Sequence, residues 1–152
     1  MVGGSDVSWM RYAIALSHRC PPRDTAFAVG AVIVDAHGRQ IAHGWSRETD
    51  DTVHAEESAL AKVAPGDPRL AGATLYSTLE PCGQRASRSR TCAELIIAAG
   101  IPRVVLAWRE PDLFVTGARG GRVLADAGVE VVELPELAAA AKEPNAHVLG
   151  RN

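Results

Sequence analysis

Apolar and polar residues alternate in blocks along the chain, and these blocks predict helices and strands. Met10 and Ile14 share one face of a helix that begins at Ser5 or Asp6 and ends near residue 19. Nearly continuous apolar runs rich in β-branched residues are typical of buried strands. Apolar runs predict strands over residues 27–35, 40–45, 74–79, 104–107 and 129–133.

Helical patterns lie between the later strands. Thr52 can cap a helix that continues to Val63, and residues 92–99 predict a helix that ends at Gly100. Further helices are predicted over residues 120–127 and 135–142. From the second helix onward strands and helices alternate, which predicts right-handed crossovers and helices on both faces of the sheet. The pattern therefore favours the α/β class, as a three-layer α/β/α sandwich with a mixed sheet of about five strands.

The composition is that of an ordinary globular protein. The chain has 152 residues, of which 47% are hydrophobic and 22% charged. We expect residues 1–152 to form a single domain, with a polar tail from about residue 143 that is loosely held. The formal net charge of −2 argues against a protein held on nucleic acid by phosphate contacts. Without a signal-peptide h-region or an apolar run of the ~18 residues that a membrane span needs, we expect a cytoplasmic protein with no membrane partner.

Two of the three cysteines form a pattern with a histidine. Three cysteines are too few for the disulfide framework of a small secreted protein. His54, Cys82 and Cys92 instead lie at or just before the starts of predicted helices. Zinc binds imidazole nitrogen and thiolate sulfur, and three protein ligands leave the fourth position of a catalytic site for water. Glu56 follows His54 by two residues, where its carboxylate can accept a proton from that water.

Two other classes of protein fit parts of this pattern. A folded zinc protein without catalysis would use the same three ligands, but it has no need of the Glu56 carboxylate. A dithiol redox protein would use Cys82 and Cys92 and would leave His54 and Glu56 unexplained. Cys20, which has no partner pattern, is expected to be a small, partly buried apolar residue. The residues favour an enzyme and leave both alternatives open.

The order of these residues resembles the zinc-dependent cytidine deaminase-like superfamily. Its signature, H-x-E followed by P-C-x-x-C, is similar to His54-Ala55-Glu56 and Pro81-Cys82, although nine residues separate Cys82 from Cys92. Similarity to the deaminase domain of bifunctional riboflavin biosynthesis enzymes extends over residues 78–82, 98–105, 110–112 and 124–131. The resemblance covers residues 9–133, which is nearly the whole chain.

The resemblance implies a hydrolytic deaminase that converts an aminated pyrimidine-type heterocycle to the oxo form and releases ammonia. It implies Zn²⁺ on His54, Cys82 and Cys92, with Glu56 as the proton shuttle. Substrate-binding positions implied by the resemblance are Ala55, Phe27, Gly30 and Glu48. A homodimer or higher oligomer is implied as well. Because the bifunctional enzymes also carry a reductase domain, for which 152 residues leave no room, we expect deamination alone.

The residues leave the substrate open. Arg88 and Arg90 lie in a basic stretch between the cysteines, and arginine binds phosphate through charge-assisted hydrogen bonds. A ribosylaminopyrimidine phosphate of riboflavin biosynthesis is therefore one candidate, although a solvated polar loop explains the arginines about as well. Residues 27–31 are similar to cytidine deaminases, so cytidine, cytosine, guanine or an aminotriazine is the alternative. A tRNA or DNA deaminase ranks below these because the net charge is negative.

Overall fold

The computed structural model describes residues 4–21, 26–83, 90–109 and 120–149. Within these ranges the helices are α1 (Gly4–Ser17), α2 (Ala55–Ala61), α3 (Cys92–Ala99), α4 (Gly120–Asp126), α5 (Ala138–Lys142) and α6 (Ala146–Leu149). The strands are β1 (Gly30–Val34), β2 (Gln40–Trp45), β3 (Thr74–Leu79), β4 (Arg103–Trp108) and β5 (Glu130–Glu133). Single 3-10 turns cover Pro68–Gly72, Pro135–Leu137 and Glu143–Asn145. No helix in the described ranges is long and apolar enough to cross a membrane.

The strands form one mixed sheet in the order β2-β1-β3-β4-β5. β1 is antiparallel to both β2 and β3, whereas β3, β4 and β5 run parallel to one another. The register places Ala31 opposite Ser77 and Leu79 opposite Trp108. The prediction of an α/β fold with a mixed five-stranded sheet is confirmed.

Two hydrophobic cores lie on the two faces of the sheet. Adjacent residues of a strand point to opposite faces, so Val32 packs into one core and Ile33 into the other. The first core takes apolar side chains of α1, α5 and α6, which include Met10, Ala141 and Val148. The second takes side chains of α2, α3 and α4, which include Ala59, Ile96 and Leu124. The sheet is therefore covered on both faces, as the three-layer prediction requires.

Two glycines let helices approach the sheet at backbone distance. A Cβ at Gly44 of β2 would lie 2.7 Å from the backbone nitrogen of Ala59 and 2.8 Å from the carbonyl oxygen of Ala55. A Cβ at Gly30 of β1 would overlap the carbonyl of Ala13 in α1. Only glycine permits such contacts, so these positions set how closely α2 and α1 pack on the sheet.

Several predicted boundaries differ from the structure. Thr52 does not cap α2, because the helix begins at Ala55 with His54 at the N-cap position. The first strand begins at Gly30 and not at residue 27, since side chains occupy the backbone groups of the residues before it. The predicted loose tail is wrong for residues 143–149, where the chain is helical and Asn145 and Val148 are buried.

A buried ion pair joins α1 to the middle of the sheet. The Arg103 guanidinium donates to both carboxylate oxygens of Asp6, over 3.0 and 2.8 Å. The Tyr76 hydroxyl also donates to Asp6, over 2.6 Å. Burial and this hydrogen bond raise the pKa of Tyr76 above its ordinary value. Each partner is satisfied by the others, which is the condition for a buried charge to be tolerated.

We expect Asp6→Ala to lower the free energy of unfolding by about 3 kcal/mol, because it removes two charge-assisted hydrogen bonds from Arg103, whose side chain is 18% exposed. Glu130→Ala is the matched control, since Glu130 contacts the same guanidinium at 3.4 Å with a side chain that is 52% exposed. That change should cost less than about 1 kcal/mol. Urea unfolding monitored by circular dichroism measures both, and equal losses would contradict the assignment.

Candidate active site

Three potential metal ligands converge where β3 ends and two helices begin. His54 precedes α2, Cys82 follows β3 by three residues, and Cys92 is the first residue of α3. The His54 Nδ1 atom lies 3.6 Å from Cys82 Sγ and 3.3 Å from Cys92 Sγ. The three ligand atoms all lie within 4.8 Å of one another, and both cysteines are buried. The structure thus brings together the ligands that the sequence predicted.

These distances fit a tetrahedral zinc ion. Zinc binds sulfur at about 2.3 Å and imidazole nitrogen at about 2.0 Å, which places nitrogen and sulfur about 3.5 Å apart around a tetrahedral ion. The observed separations of 3.6 and 3.3 Å bracket that value. One imidazole and two sulfurs are also the donor types that zinc prefers. We conclude that His54, Cys82 and Cys92 fit zinc, and within the described part of the chain no fourth His, Cys, Asp or Glu joins their cluster.

The surroundings of Cys82 favour its thiolate form. The backbone N–H of Cys92 donates to Cys82 Sγ over 3.2 Å. The Cys92 thiol and the His54 ring lower the pKa of Cys82 below its ordinary value through hydrogen bonding. Because the thiolate is the form that ligates a metal, this arrangement prepares the sulfur for metal binding.

A capping box holds the start of α3, and with it Cys92, in place. The Thr91 hydroxyl accepts a hydrogen bond from the backbone N–H of Glu94 over 3.2 Å. The Glu94 carboxylate accepts one in return from the backbone N–H of Thr91 over 2.9 Å. Sequence analysis missed this box, although the T-x-x-E pattern before an apolar run is its recognised signal. Gly100 ends α3 in the left-handed conformation at φ 79°, as predicted.

Glu56 lies in the first turn of α2 and is buried, with 3% of its surface exposed. Burial raises the pKa of this carboxyl above its ordinary value. Its Oε2 atom lies 3.2 Å from the hydroxyl of Ser77, a buried residue of β3. Glu56 follows His54 by two positions, so the carboxyl is attached to the same helix start as a predicted ligand of the cluster.

Ser77 can support Glu56 in either protonation state. Its hydroxyl is also 2.7 Å from the carbonyl oxygen of Leu79. A hydroxyl has one hydrogen to donate and lone pairs that accept, so it can donate to ionised Glu56 or to Leu79, and it can accept from neutral Glu56. Sequence analysis did not identify Ser77. β3 also contains Thr74 and Thr78, so a polar residue at position 77 did not stand out in the sequence.

Contacts with the start of α4 hold Glu80 and Pro81, the two residues between β3 and Cys82, in place. The buried Glu80 carboxylate accepts the backbone N–H of Gly121 over 2.8 Å, and Arg109 lies 3.3 Å from the same oxygen. A Cβ at Gly120 would overlap the carbonyl of Pro81. These contacts hold Pro81 and Cys82 against α4, and sequence analysis did not predict them because they join residues about 40 positions apart.

Three of the predicted substrate-binding residues lie close to this end of the sheet. Ala55 is fully buried at the start of α2. Phe27 packs edge-on against Trp108, with ring centres 5.5 Å apart. Gly30 is the first residue of β1, and its N–H donates to Thr78 over 3.2 Å. Their role in binding a substrate stays a prediction.

The other three predicted substrate-binding residues are placed differently. Glu48 accepts hydrogen bonds from Ser58 over 2.6 Å and from Lys62 over 2.8 Å. Burial alone would raise the pKa of Glu48, but these bonds lower it below its ordinary value. Glu48 therefore ties the loop after β2 to α2. Arg90 is exposed beside Thr91, and Arg88 falls outside the described residues.

Comparison with known proteins agrees with this geometry. Residues 4–108 match the family model of the cytidine and deoxycytidylate deaminase zinc-binding region. The chain belongs to this family. The match spans His54, Glu56, Cys82 and Cys92, so the resemblance drawn from those residues is confirmed.

Relatives named for riboflavin biosynthesis are similar over most of this chain. A diaminohydroxyphosphoribosylamino-pyrimidine deaminase of Schizosaccharomyces pombe is 42% identical over 127 residues, which are 82% of this chain and 31% of the relative. The riboflavin biosynthesis protein RibD of Actinobacillus pleuropneumoniae is 34% identical over 85% of this chain and 33% of its own. The family member described here thus spans about a third of the length of these relatives.

Solved structures share the fold. A diaminohydroxyphosphoribosylaminopyrimidine deaminase/reductase of Thermotoga maritima superposes with a TM-score of 0.81 at 30% identity, over 97% of this chain and 42% of its own. The Aspergillus oryzae Rib2 deaminase, a C-terminal deletion mutant, superposes with a TM-score of 0.75 at 26% identity, over 97% and 98% of the two chains. The five-stranded sheet with its helices is therefore the cytidine deaminase-like fold.

We expect Thr91→Ala to lower the free energy of unfolding by about 1 kcal/mol, because it removes the hydroxyl that caps α3. Thr52→Ala is the matched control, since the Thr52 hydroxyl bonds to Asp50 in an exposed turn and Thr52 lies before the N-cap of α2. It should change stability by less than about 0.5 kcal/mol. Thermal and urea unfolding measure both, and a larger effect at Thr52 would refute His54 as the N-cap of α2.

Proposed function

We propose that this protein is a zinc-dependent hydrolytic deaminase that converts an aminated pyrimidine-type heterocycle to its oxo form. The observation that carries the proposal is the buried carboxyl of Glu56, attached to the same helix start as His54 of the His54, Cys82 and Cys92 cluster. A structural zinc site has no use for such a carboxyl, which disfavours a non-catalytic scaffold. A dithiol redox protein would not need His54 between its sulfurs.

His54, Cys82 and Cys92 would hold the metal in this mechanism. Zinc supplies Lewis acidity, which makes water acidic enough to react near neutral pH. Glu56 accepts a proton as water adds to the ring carbon that bears the amino group, and delivers a proton to the adjacent ring nitrogen. A second proton passes through Glu56 to the amino group, which leaves as ammonia. Ser77 keeps the carboxyl in place throughout, because its hydroxyl can donate to one form and accept from the other.

The names of the relatives favour a ribosylaminopyrimidine phosphate of riboflavin biosynthesis as the substrate. Arg88 and Arg90 would bind its phosphate, and Arg90 immediately precedes the capping residue of the helix that begins with Cys92. A free base or nucleoside such as cytidine, cytosine, guanine or an aminotriazine is the alternative substrate.

The proposal also covers organisation and location. We propose that residues 1–152 act as a single deaminase domain and that the protein forms a homodimer or higher oligomer, as the resemblance implies. A cytoplasmic location is supported by the two thiols in the predicted metal site, Cys82 and Cys92, because reducing compartments keep thiols available for metals.

We expect Glu56→Gln to lower kcat by about 10²- to 10⁴-fold while the protein still holds one zinc per chain, because proton transfer is lost and the ligands are kept. Ammonia release from diaminohydroxyphosphoribosylaminopyrimidine measures the rate, and metal analysis of the purified protein measures zinc. Full activity in this variant would refute the proton-carrying role.

Two cysteine variants serve as controls for the metal. Cys92→Ala should lose both zinc and activity, whereas Cys20→Ala should keep both. Cys20 is also buried, but it contacts Arg47, with Nη2 at 2.8 Å, and is not part of the cluster. Equal zinc loss in the two variants would contradict the assignment of Cys92 as a zinc ligand.

We expect the double change Arg88→Ala and Arg90→Ala to raise KM about tenfold or more for the phosphorylated substrate and less than about twofold for its dephosphorylated form, because only the first loses charge-assisted hydrogen bonds. Arg39→Ala is the control, since exposed Arg39 lies in the β1–β2 turn at the opposite end of the sheet. Equal effects on the two substrates would exclude phosphate binding by these arginines.

A further inference from the structure

Residues 27–30, which we call the entry segment, lead into β1 and are held by side chains from distant parts of the chain. The Ser46 hydroxyl accepts the N–H of Val29 over 2.9 Å. The Thr78 hydroxyl accepts the N–H of Gly30 over 3.2 Å. The Asn145 side chain forms hydrogen bonds with the backbone of Ala28. Side chains thus form hydrogen bonds to backbone groups that would bond to a neighbouring strand in a regular sheet.

The Asn145 side chain bonds to both backbone groups of Ala28. The Ala28 N–H donates to Asn145 Oδ1 over 2.6 Å, and Asn145 Nδ2 donates to the Ala28 carbonyl over 3.0 Å. Nδ2 also lies 3.5 Å from the carbonyl oxygen of Ala141 in α5. Asn145 is fully buried, and 117 positions separate it from Ala28. The amide therefore acts as a one-residue strand partner within the protein interior.

The entry segment lies beside the end of β3 that leads to Cys82. Because β1 and β3 are antiparallel and Ala31 is opposite Ser77, the residues before Ala31 run past Thr78 and Leu79. Phe27 packs on Trp108, which is the β4 partner of Leu79. The Ser77 hydroxyl in turn contacts Glu56. A displacement of the entry segment would therefore move the surface next to the Glu56 carboxyl and the metal cluster.

Loss of the Asn145 amide would remove the hydrogen-bond partner of both backbone groups of Ala28. Both backbone groups of Ala28 are in the protein interior, where an unsatisfied donor or acceptor is costly enough that the backbone shifts to reach water or a new partner. Val29 would remain held by Ser46, so the shift would be concentrated at Phe27 and Ala28. These are the residues that pack against Trp108 at the end of the sheet that carries the site.

We infer that Asn145 is a positioning residue for substrate binding, which fixes the entry segment as one wall of the substrate pocket from the C-terminal end of the described chain. The inference rests on the proposed deaminase function. It assigns the helical turns at 143–149 a role in the active site, although none of their residues belongs to the zinc-ligand pattern.

A purely structural role would be to anchor residues 143–149, and a matched variant separates the two. Val148 lies in the same segment and is buried in the first core, but its side chain has no hydrogen-bonding group. Val148→Ala therefore loosens the segment without removing a hydrogen bond to Ala28.

The experiment compares wild type, Asn145→Ala, Val148→Ala and Ser46→Ala. Kinetics with diaminohydroxyphosphoribosylaminopyrimidine should show KM raised about five- to tenfold in Asn145→Ala, with kcat changed less than about threefold and zinc content unchanged. Val148→Ala should be destabilised with KM within about twofold of wild type. Ser46→Ala removes the hydroxyl that accepts the Val29 N–H in the same segment. It should therefore raise KM as Asn145→Ala does, and it replaces that variant if Asn145→Ala does not fold.

Amide hydrogen exchange tests the contact independently of activity. The Ala28 amide should exchange at least about tenfold faster in Asn145→Ala than in wild type or Val148→Ala. An active wild type with the same KM in Asn145→Ala, or equal KM increases in Asn145→Ala and Val148→Ala, would overturn the inference. A wild type that releases no ammonia would instead refute the proposed function. The exchange rate at Ala28 then decides whether Asn145 fixes the entry segment. Equal rates in the three proteins would overturn that role.

Discussion

The predicted metal site requires that three atoms from separate elements, His54 Nδ1 and the sulfurs of Cys82 and Cys92, lie within 4.8 Å of one another. The three atoms come from the starts of two helices and the end of a strand, so each must be placed by contacts of its own. Gly44 allows α2 to lie directly on β2, the Thr91 capping box sets the first turn of α3, and the α4 start holds the chain between β3 and Cys82. The geometry of the predicted metal site is therefore set by where these helices and this strand begin or end, and by the contacts that hold those ends in place.

Burial at the same place explains why the arrangement suits proton transfer. Glu56 and Cys82 are buried, so the charge state of each depends strongly on its neighbours. Hydrogen bonds to Cys82 favour thiolate, whereas burial of Glu56 favours the neutral acid. Neighbouring groups whose pKa values are shifted in opposite directions are the usual arrangement in sites that transfer protons.

Local signals made several elements predictable from sequence. β2, β3 and α3 have the predicted bounds because apolar runs end at a turn, at Pro81 and at Gly100, which adopts the left-handed conformation. The ligand set was predictable because its residue types and order carry the chemistry. The entry segment was predicted as strand because its apolar residues have strand character. Its residues 27–29 are not strand, since Asn145 and Ser46 occupy backbone groups that a strand would share.

By itself the sequence determined the class of fold, a mixed sheet of about five strands, and the residues that could bind zinc and carry protons. These depend on periodicity and residue type, which are local properties. Only the tertiary structure decided that Ser77 faces Glu56, that Glu48 serves α2, and that residues 143–149 pack on the protein through Asn145 and Val148. Each of these is a contact between residues distant in sequence, and its free energy exists only once the sheet has brought both partners together.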